Sequence, residues 1–160
     1  MIREYKPADL EAVVSLFSRS VREVASRDYS PTEVSAWAPE PPDLAAWRRR
    51  LETGAVLVFE CAEMTGFVRI DSAGCVDLLY VHPERQRQGV ARALMDGAVS
   101  WAVARGIRLL HSDVSVTARP FFEAAGMQPV ALAAVPGEPS PSARRALRQP
   151  TRTEVTRPSR

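Results

Sequence analysis

Tyr80-Val-His-Pro-Glu-Arg-Gln-Arg-Gln-Gly-Val-Ala-Arg-Ala-Leu-Met95 is the stretch on which the reading of this chain turns. The apolar run Cys75–Val81 before it has strand character, and residues 90–104 have the apolar spacing of a helix that Gly106 ends. Between them lies a polar loop whose last residue is Gly89. The first N–H groups of a helix have no intrahelical partner and sit at its positive dipole end, so this junction suits an anion. Gly89 admits a phosphate close to the backbone, Ala91 keeps the next turn small, and Arg85, Arg87 and Arg92 add positive charge. By itself the loop reads first as an ordinary strand–loop–helix turn, because one glycine is a weak signal.

The elements on either side extend the pattern. Residues 2–5 form a short strand, and a helix from Pro7 to near Ser26 carries Leu10, Val13, Val14, Phe17, Val21 and Val24 on one stripe. Ser30-Pro31-Thr32-Glu33 is a capping box that starts a brief helix through Trp37. A further helix runs from Asp43 to about Thr53. From Ala55 the period becomes that of strands: residues 55–62, 66–71 and 75–81 form a meander, with turns at Glu63-Met64-Thr65-Gly66 and Ser72-Ala73-Gly74. After the helix at 90–104 come a strand at 108–116, a short helix Ala118–Ala125 stopped by Gly126, and a last strand in 127–135. A strand–helix–strand unit that follows a meander needs a crossover, so the sheet is mixed, with helices on both faces.

The chain has 160 residues, the length of one domain with a full core, and 46% apolar against 25% charged residues excludes wholesale disorder. Its net charge of +2 hides an asymmetry: residues 1–135 carry 15 basic and 17 acidic side chains, whereas residues 136–160 carry six Arg against two Glu. The division is thus a body at 1–135 and a tail at 136–160. Five prolines and no alternation make the tail read as disordered and unable to supply a central strand. The tail also lacks the aromatics of a nucleic-acid arm. Cys61 and Cys75 lie in apolar runs and read as buried free thiols of a reducing compartment. No run reaches the roughly 18 apolar residues of a membrane span, so the expectation is a cytoplasmic protein with no membrane contact.

Two motifs sharpen this. Gln86-Arg87-Gln88-Gly89-Val90-Ala91 resembles the Q/R-x-x-G-x-G/A signature of the GNAT superfamily of acyl-CoA-dependent N-acetyltransferases. Ser115-Val-Thr-Ala-Arg-Pro-Phe-Phe-Glu-Ala-Ala-Gly126 resembles its N-x-x-A-x-x-F-Y-x-x-x-G segment, and the order of elements is similar over about four-fifths of the chain. The segment 26–39 is more loosely similar to one bacterial GNAT subgroup. The resemblance implies an α/β fold whose mixed, mostly antiparallel sheet splays into a V between its central strands, with acetyl-CoA in the opening. Its pantetheine arm would pair with Leu79, Tyr80 and Val81, and its pyrophosphate would rest on the N–H groups of Arg87, Gln88, Gly89, Val90, Ala91 and Arg92, beside Gln86. The Val81 N–H would hold the developing oxyanion, a donor worth ~3 kcal/mol. Ser115 and Phe122 would complete the cofactor site. The acceptor would be a primary amine of a small molecule or peptide, and a second copy of the chain is an expected partner.

Amine attack needs a neutral nitrogen and hence a route for a proton. Strand alternation sets Cys75, Asp77, Leu79 and Val81 on one face, which makes Asp77 the first candidate base; the other reading is a structural carboxylate bonded to a loop or an Arg. Asp113 and Glu60 follow. Phe122 stands where the superfamily has the Tyr that protonates the leaving thiolate, and Tyr29 and Ser115 are the substitutes to test. His82 and His111 read as structural, and no ligand spacing for a metal is present. Trp37 and Trp47 either line an acceptor pocket or pack. The rival reading, carried by Phe122, Ser115 and the tail, is a catalytically weak acyl-CoA-binding or regulatory module.

Overall fold

Three antiparallel pairings build the first sheet of the computed structural model, which describes residues 1–129 and 150–154. Strands β1 (Ile2–Glu4), β2 (Ala55–Cys61), β3 (Glu63–Ile70) and β4 (Val76–Val81) are neighbours in that order. The turn between β2 and β3 is tighter than the glycine at 66 suggests. Cys61 pairs with Glu63, Ala62 alone bends at φ 59°, and Glu63–Gly66 belong to β3. That places Cys61 at an exposed hairpin end rather than in the core, and neither it nor Cys75 is in a disulfide.

Alternation along the strands supplies two core faces. Val56, Val58, Phe67 and Leu78 meet α1 (Leu10–Glu23), which buries Leu10, Val13, Val14 and Phe17, and the region of α2 (Pro31–Trp37) and α3 (Leu44–Leu51). The capping box forms as its residues dictate: Ser30 Oγ accepts from the Glu33 N–H at 3.3 Å, and the Glu33 carboxylate accepts from the Ser30 N–H at 2.8 Å. On the other face Leu57, Val68, Ile70 and Val76 pack against Leu94, Ala98 and Ala102 of α4 (Val90–Ala104). Gly66 permits this approach: a Cβ there would lie 2.8 Å from Val90 Cγ1 and 3.0 Å from the Tyr80 carbonyl.

Beyond α4, β5 (Leu109–Asp113) returns beside β4, but only at its start. Cys75 and His111 form one parallel bridge, the His111 N–H donates to the Gly74 carbonyl at 3.0 Å, and the buried Ser112 hydroxyl donates to the Val76 carbonyl at 2.6 Å. Past Val76 the two strands belong to different sheets. The second sheet holds β5, β6 (Gln128–Pro129) and β7 (Pro150–Glu154), with α5 (Arg119–Ala124) between β5 and β6.

The position of β7 corrects the expectation that the tail supplies no central strand. Pro150–Glu154 lies between β5 and β6 and is antiparallel to both. Pro150 is the first residue of that strand, where a missing N–H is tolerated, and Thr151 and Thr153 bring β-branched character to an otherwise polar segment. The rest of the expected strand at 130–135, with residues 136–149 and 155–160 of the tail, lies outside the described residues. Truncation after Val135 removes the middle strand of the second sheet. The melting temperature should fall by more than about 5 °C by differential scanning fluorimetry; an unchanged value would detach β7 from the fold.

Arg3 ties β1 to the start of α1 and to β2. Its guanidinium donates to Asp9 and Glu60, each at 2.8 Å. Glu60 is therefore committed to an ion pair rather than to proton transfer. Hydrogen bonding to Arg3 holds both carboxyls below their usual ranges. A depressed folded-state value means that the folded chain binds fewer protons than the unfolded one, so this stabilisation is present above the ordinary carboxylate range and is lost as pH falls through the folded values. In Arg3→Met the fall in melting temperature below about pH 4.5 should be shallower than in the parent chain.

Candidate active site

The divergence of β4 from β5 opens a cleft of about 550 Å³. Leu79, Tyr80 and Val81 line one side, and Gln86, Arg87, Gly89, Val90, Ala91 and Arg92 surround the start of α4. Ser115, Ala118 and Phe121 face them from the segment after β5, and Trp37 closes one end.

The backbone of β4 is available to a ligand for a reason fixed by register. Val81 pairs with Gly66, while the next N–H, of His82, donates to the Thr65 carbonyl at 2.8 Å. Antiparallel ladders alternate, so the N–H groups of Leu79 and Val81 point away from β3 and into the opening where β5 has left. Around the loop, Arg87 and Gly89 both take left-handed backbone angles, φ 59° and 82°. This alternation turns successive N–H groups inward as an anion nest. The Ala93 N–H is the one that donates to the Gly89 carbonyl at 3.0 Å, and the earlier N–H groups of the helix are free of such bonds. A Cβ built on Gly89 meets no atom within 4 Å, so the space above the nest is open.

Not every expected residue is here. Gln88 turns its amide to the Glu84 carbonyl at 3.1 Å and is not part of the cleft wall. Phe122 is 3% exposed and packs with Leu94 and Leu110, whereas its neighbour Phe121 lines the cleft. The phase of a six-residue helix that begins at Arg119 decides between the two, and a motif match does not specify that phase.

Asp77 leaves the face that strand alternation gives it, and its contacts are those of the structural carboxylate bonded to Arg. Val76 pairs with Ile70 and Leu78 with Arg69, so Asp77 has no residue opposite it and forms a β-bulge. Simple alternation stops there. Leu79 and Val81 pack toward α4, but Leu78 and Tyr80 pack toward α1, and Asp77 turns with them to the face opposite Val81. Its Oδ2 accepts from Arg69 Nη1 at 2.6 Å and from Arg50 Nη2 at 2.9 Å, while Oδ1 is buried with no hydrogen-bond partner among the described residues. Arg69 also donates to the carbonyls of Arg50 and Thr53.

The remaining candidates are placed as follows. Asp113 ends β5 opposite Pro150. Tyr29 is buried and its hydroxyl accepts from the Val116 N–H at 2.9 Å, away from the cleft wall. Ser115 lines the cleft while its Oγ accepts from the Ala118 N–H at 3.0 Å. His82 Nε2 lies 2.6 Å from Arg19 Nη1, and His111 contributes its backbone to the β4–β5 junction. Among the described residues, no group of three or more His, Cys, Asp or Glu could hold a metal ion.

Tyr80 turns its N–H and carbonyl to β3. It lines both the cleft and a second cavity, and its ring packs edge-on against Phe17 at 4.9 Å. Burial pushes its hydroxyl well above the usual tyrosine range, against a smaller opposing effect from a hydrogen bond with Trp37, so the phenol keeps its proton.

A family model described as an acetyltransferase (GNAT) domain matches residues 25–132. The chain is 38% identical over 131 residues to an uncharacterized N-acetyltransferase, YafP, of Escherichia coli K12, a match that covers 81% of each chain. The crystal structure of a GCN5-related N-acetyltransferase from Rhodopseudomonas palustris superposes with a TM-score of 0.84 at 25% identity, over 97% of this chain and 95% of that one. PaiA N-acetyltransferase of Thermoplasma acidophilum, solved in complex with coenzyme A, has the same fold with a TM-score of 0.78 at 16% identity, over 96% and 98% of the two chains. The chain belongs to the GNAT family of acetyltransferases, and acetyl transfer is its chemistry. Among the described residues, no helix is long and apolar enough to cross a membrane.

Arg69 is 8% exposed, so its guanidinium depends on Asp77. Asp77→Ala leaves that buried charge with carbonyl and hydroxyl partners alone and should cost about 1–3 kcal/mol. Arg50→Met removes only the half-exposed partner and should cost under about 1 kcal/mol. Urea unfolding of the two variants checks the order.

Proposed function

We propose that the cleft binds acetyl-CoA and that the chain transfers its acetyl group to a primary amine of a small molecule or peptide. One juxtaposition carries this reading: the unpaired N–H groups of Leu79 and Val81 and the anion nest at Gly89 line the same cleft. The residues fit the cofactor chemically, since an extended amide arm finds strand-like backbone at one end and a pyrophosphate finds free N–H groups at the other. Bound there, acetyl-CoA supplies an activated acetyl group on a thiol that leaves readily, its pKa being close to the cysteine value of about 8.5.

The residues then divide the work. Leu79 holds the arm with its backbone, whereas the N–H and carbonyl of the expected Tyr80 are turned to β3 by the same alternation, and Val81 N–H donates to the thioester carbonyl oxygen as it gathers negative charge. The N–H groups of Gly89 to Arg92 receive the pyrophosphate, and the exposed Arg85, Arg87 and Arg92 add charge around it. Ser115 sits across the opening, where its hydroxyl can bond the arm. Phe121 gives the cleft an apolar wall. Tyr80 also lines the cleft, but its hydroxyl is held by burial and by Trp37 and keeps its proton, so it does not replace the hydroxyl that Phe122 lacks. A cytoplasmic location accords with two cysteines outside any disulfide.

Calorimetry with acetyl-CoA, followed by thiol release with a panel of amines, tests the reading; a chain that neither binds acetyl-CoA nor releases thiol would refute it. Gly89→Ala forces a side chain into a left-handed angle at a cost of about 1 kcal/mol and disturbs the nest. It should weaken acetyl-CoA binding about tenfold.

A further inference from the structure

The loop between β4 and α4 takes a shape that needs support from outside itself. Arg87 carries a side chain at φ 59°, in the left-handed region that residues other than glycine rarely adopt. Such a conformation persists where its surroundings over-determine it. Fastenings within the loop are short-range: the Gln88 amide donates to the Glu84 carbonyl at 3.1 Å, and the Arg85 N–H to the His82 carbonyl at 2.9 Å.

One side chain reaches the loop from another element. Arg19 leaves α1 beside Ser20, which itself lines the cleft. Its Nη1 lies 2.6 Å from His82 Nε2, its Nε donates to Glu23 at 2.9 Å, and its Nη2 stands 4.0 Å from the Glu84 carboxylate. Among the described residues, no other side chain from outside 82–89 forms a hydrogen bond or ion pair with this loop.

The chemistry of the Arg19–His82 contact selects a protonation state. Both ring nitrogens face donors: Nε2 the guanidinium at 2.6 Å, and Nδ1 the Glu84 N–H at 3.3 Å. A guanidinium keeps its protons and only donates, and a neutral imidazole has one lone pair to offer. The shorter contact, with the charged donor, claims it. An imidazolium carries protons on both nitrogens and cannot receive Arg19 at all. The other charged groups near the ring are the carboxylates of Glu23 on α1 and Glu84 in the loop. From β3 comes the Thr65 carbonyl, which accepts the His82 backbone N–H at 2.8 Å. Arg19 holds the Glu23 carboxyl below its usual range, so a protonated His82 would compete with Arg19 for an ionised partner.

We propose that Arg19 is a positioning residue for this loop: through neutral His82 it ties the anion nest to α1, and protonation of His82 releases the tie. The proposal rests on the reading that the nest receives the pyrophosphate of acetyl-CoA. Val81 precedes the loop and Gly89 ends it, so fastening His82 to α1 keeps the strand N–H groups and the nest in register for one ligand. Arg19 itself touches neither the ligand nor the reacting atoms in this role.

Calorimetric titration of the full chain with acetyl-CoA, at about pH 8 and about pH 5.5, tests it, because histidine is the side chain that ordinarily titrates in this interval. Arg19→Met should raise Kd about fivefold at the higher pH, as when the binding-competent loop falls to about a fifth of the population. The Arg19 side chain is 42% exposed in a surface pair, so the melting temperature should move by less than about 2 °C. The ratio of Kd at the lower pH to Kd at the higher should be about three times larger for the parent than for Arg19→Met. Titration of the ligand's own phosphates is common to both and leaves that comparison intact. His82→Gln keeps an acceptor near the Nε2 position and does not titrate. At the higher pH it should bind more tightly than Arg19→Met, and its ratio should match that variant's. Equal Kd values for the parent and Arg19→Met at the higher pH, or a ratio as large in both variants as in the parent, would overturn the proposal while acetyl-CoA binding stands. A parent chain that binds no acetyl-CoA at either pH would instead bring down the acetyl-transfer reading beneath it.

Discussion

A buried hydroxyl holds the two halves of this molecule together at the point where they part. Ser112 Oγ donates to the Val76 carbonyl at 2.6 Å, beside the single parallel bridge of Cys75 and His111. Upstream of that contact the chain before β4 bridges β5; downstream, β4 pairs only with β3 among the described residues. An unpaired strand edge normally invites another chain. Here the edge lines a cleft, and it faces the N-terminus of α4, which the Gly66–Val90 approach draws close to the sheet. Strand edge and helix end are each common, and their meeting in one cleft is what makes a site for a ligand with an amide arm and an anionic head.

The bulge at Asp77 is the second constraint, and it divides labour between the faces of β4. Because two successive residues, Asp77 and Leu78, turn toward α1, the residues after them fall back into alternation with Leu79 and Val81 toward α4 and Tyr80 toward α1. Tyr80 then touches both cavities, and the carboxylate is fastened by Arg69 and Arg50 rather than directed at Val81. The arrangement leaves the cleft with backbone donors and a phenol, and the adjoining cavity with aromatic rings and a carboxylate.

Periodicity and capping residues were enough to locate the helices and the meander. Signals of that kind are local: Ser30 and Glu33 cap their own helix, and Leu10 to Val21 bury their own stripe. The nest was legible only with the second motif at 115–126 beside it, since Gly89 at a strand–helix junction is by itself a weak signal. Three features were not. A bulge is set by pairing with a partner strand, and nothing near Asp77 announces that Arg69 stands opposite Leu78. The exchange of Phe121 for Phe122 depends on the phase of a short helix. The strand at Pro150–Glu154 is polar and follows a proline-rich stretch, so it takes its form from β5 and β6 on either side rather than from its own pattern.

The amino-acid sequence alone determined the helices and strands up to Gly126, their order, the loop that forms the anion nest and the family, because each depends on residues close together along the chain or on motifs that can be matched directly. Tertiary structure alone decided which face Asp77 occupies, which phenylalanine meets the cleft, that Tyr80 joins the two cavities, and that part of the basic tail completes the second sheet. Those outcomes depend on contacts between residues far apart in sequence, where register, packing and the burial of charge override what any single segment prefers.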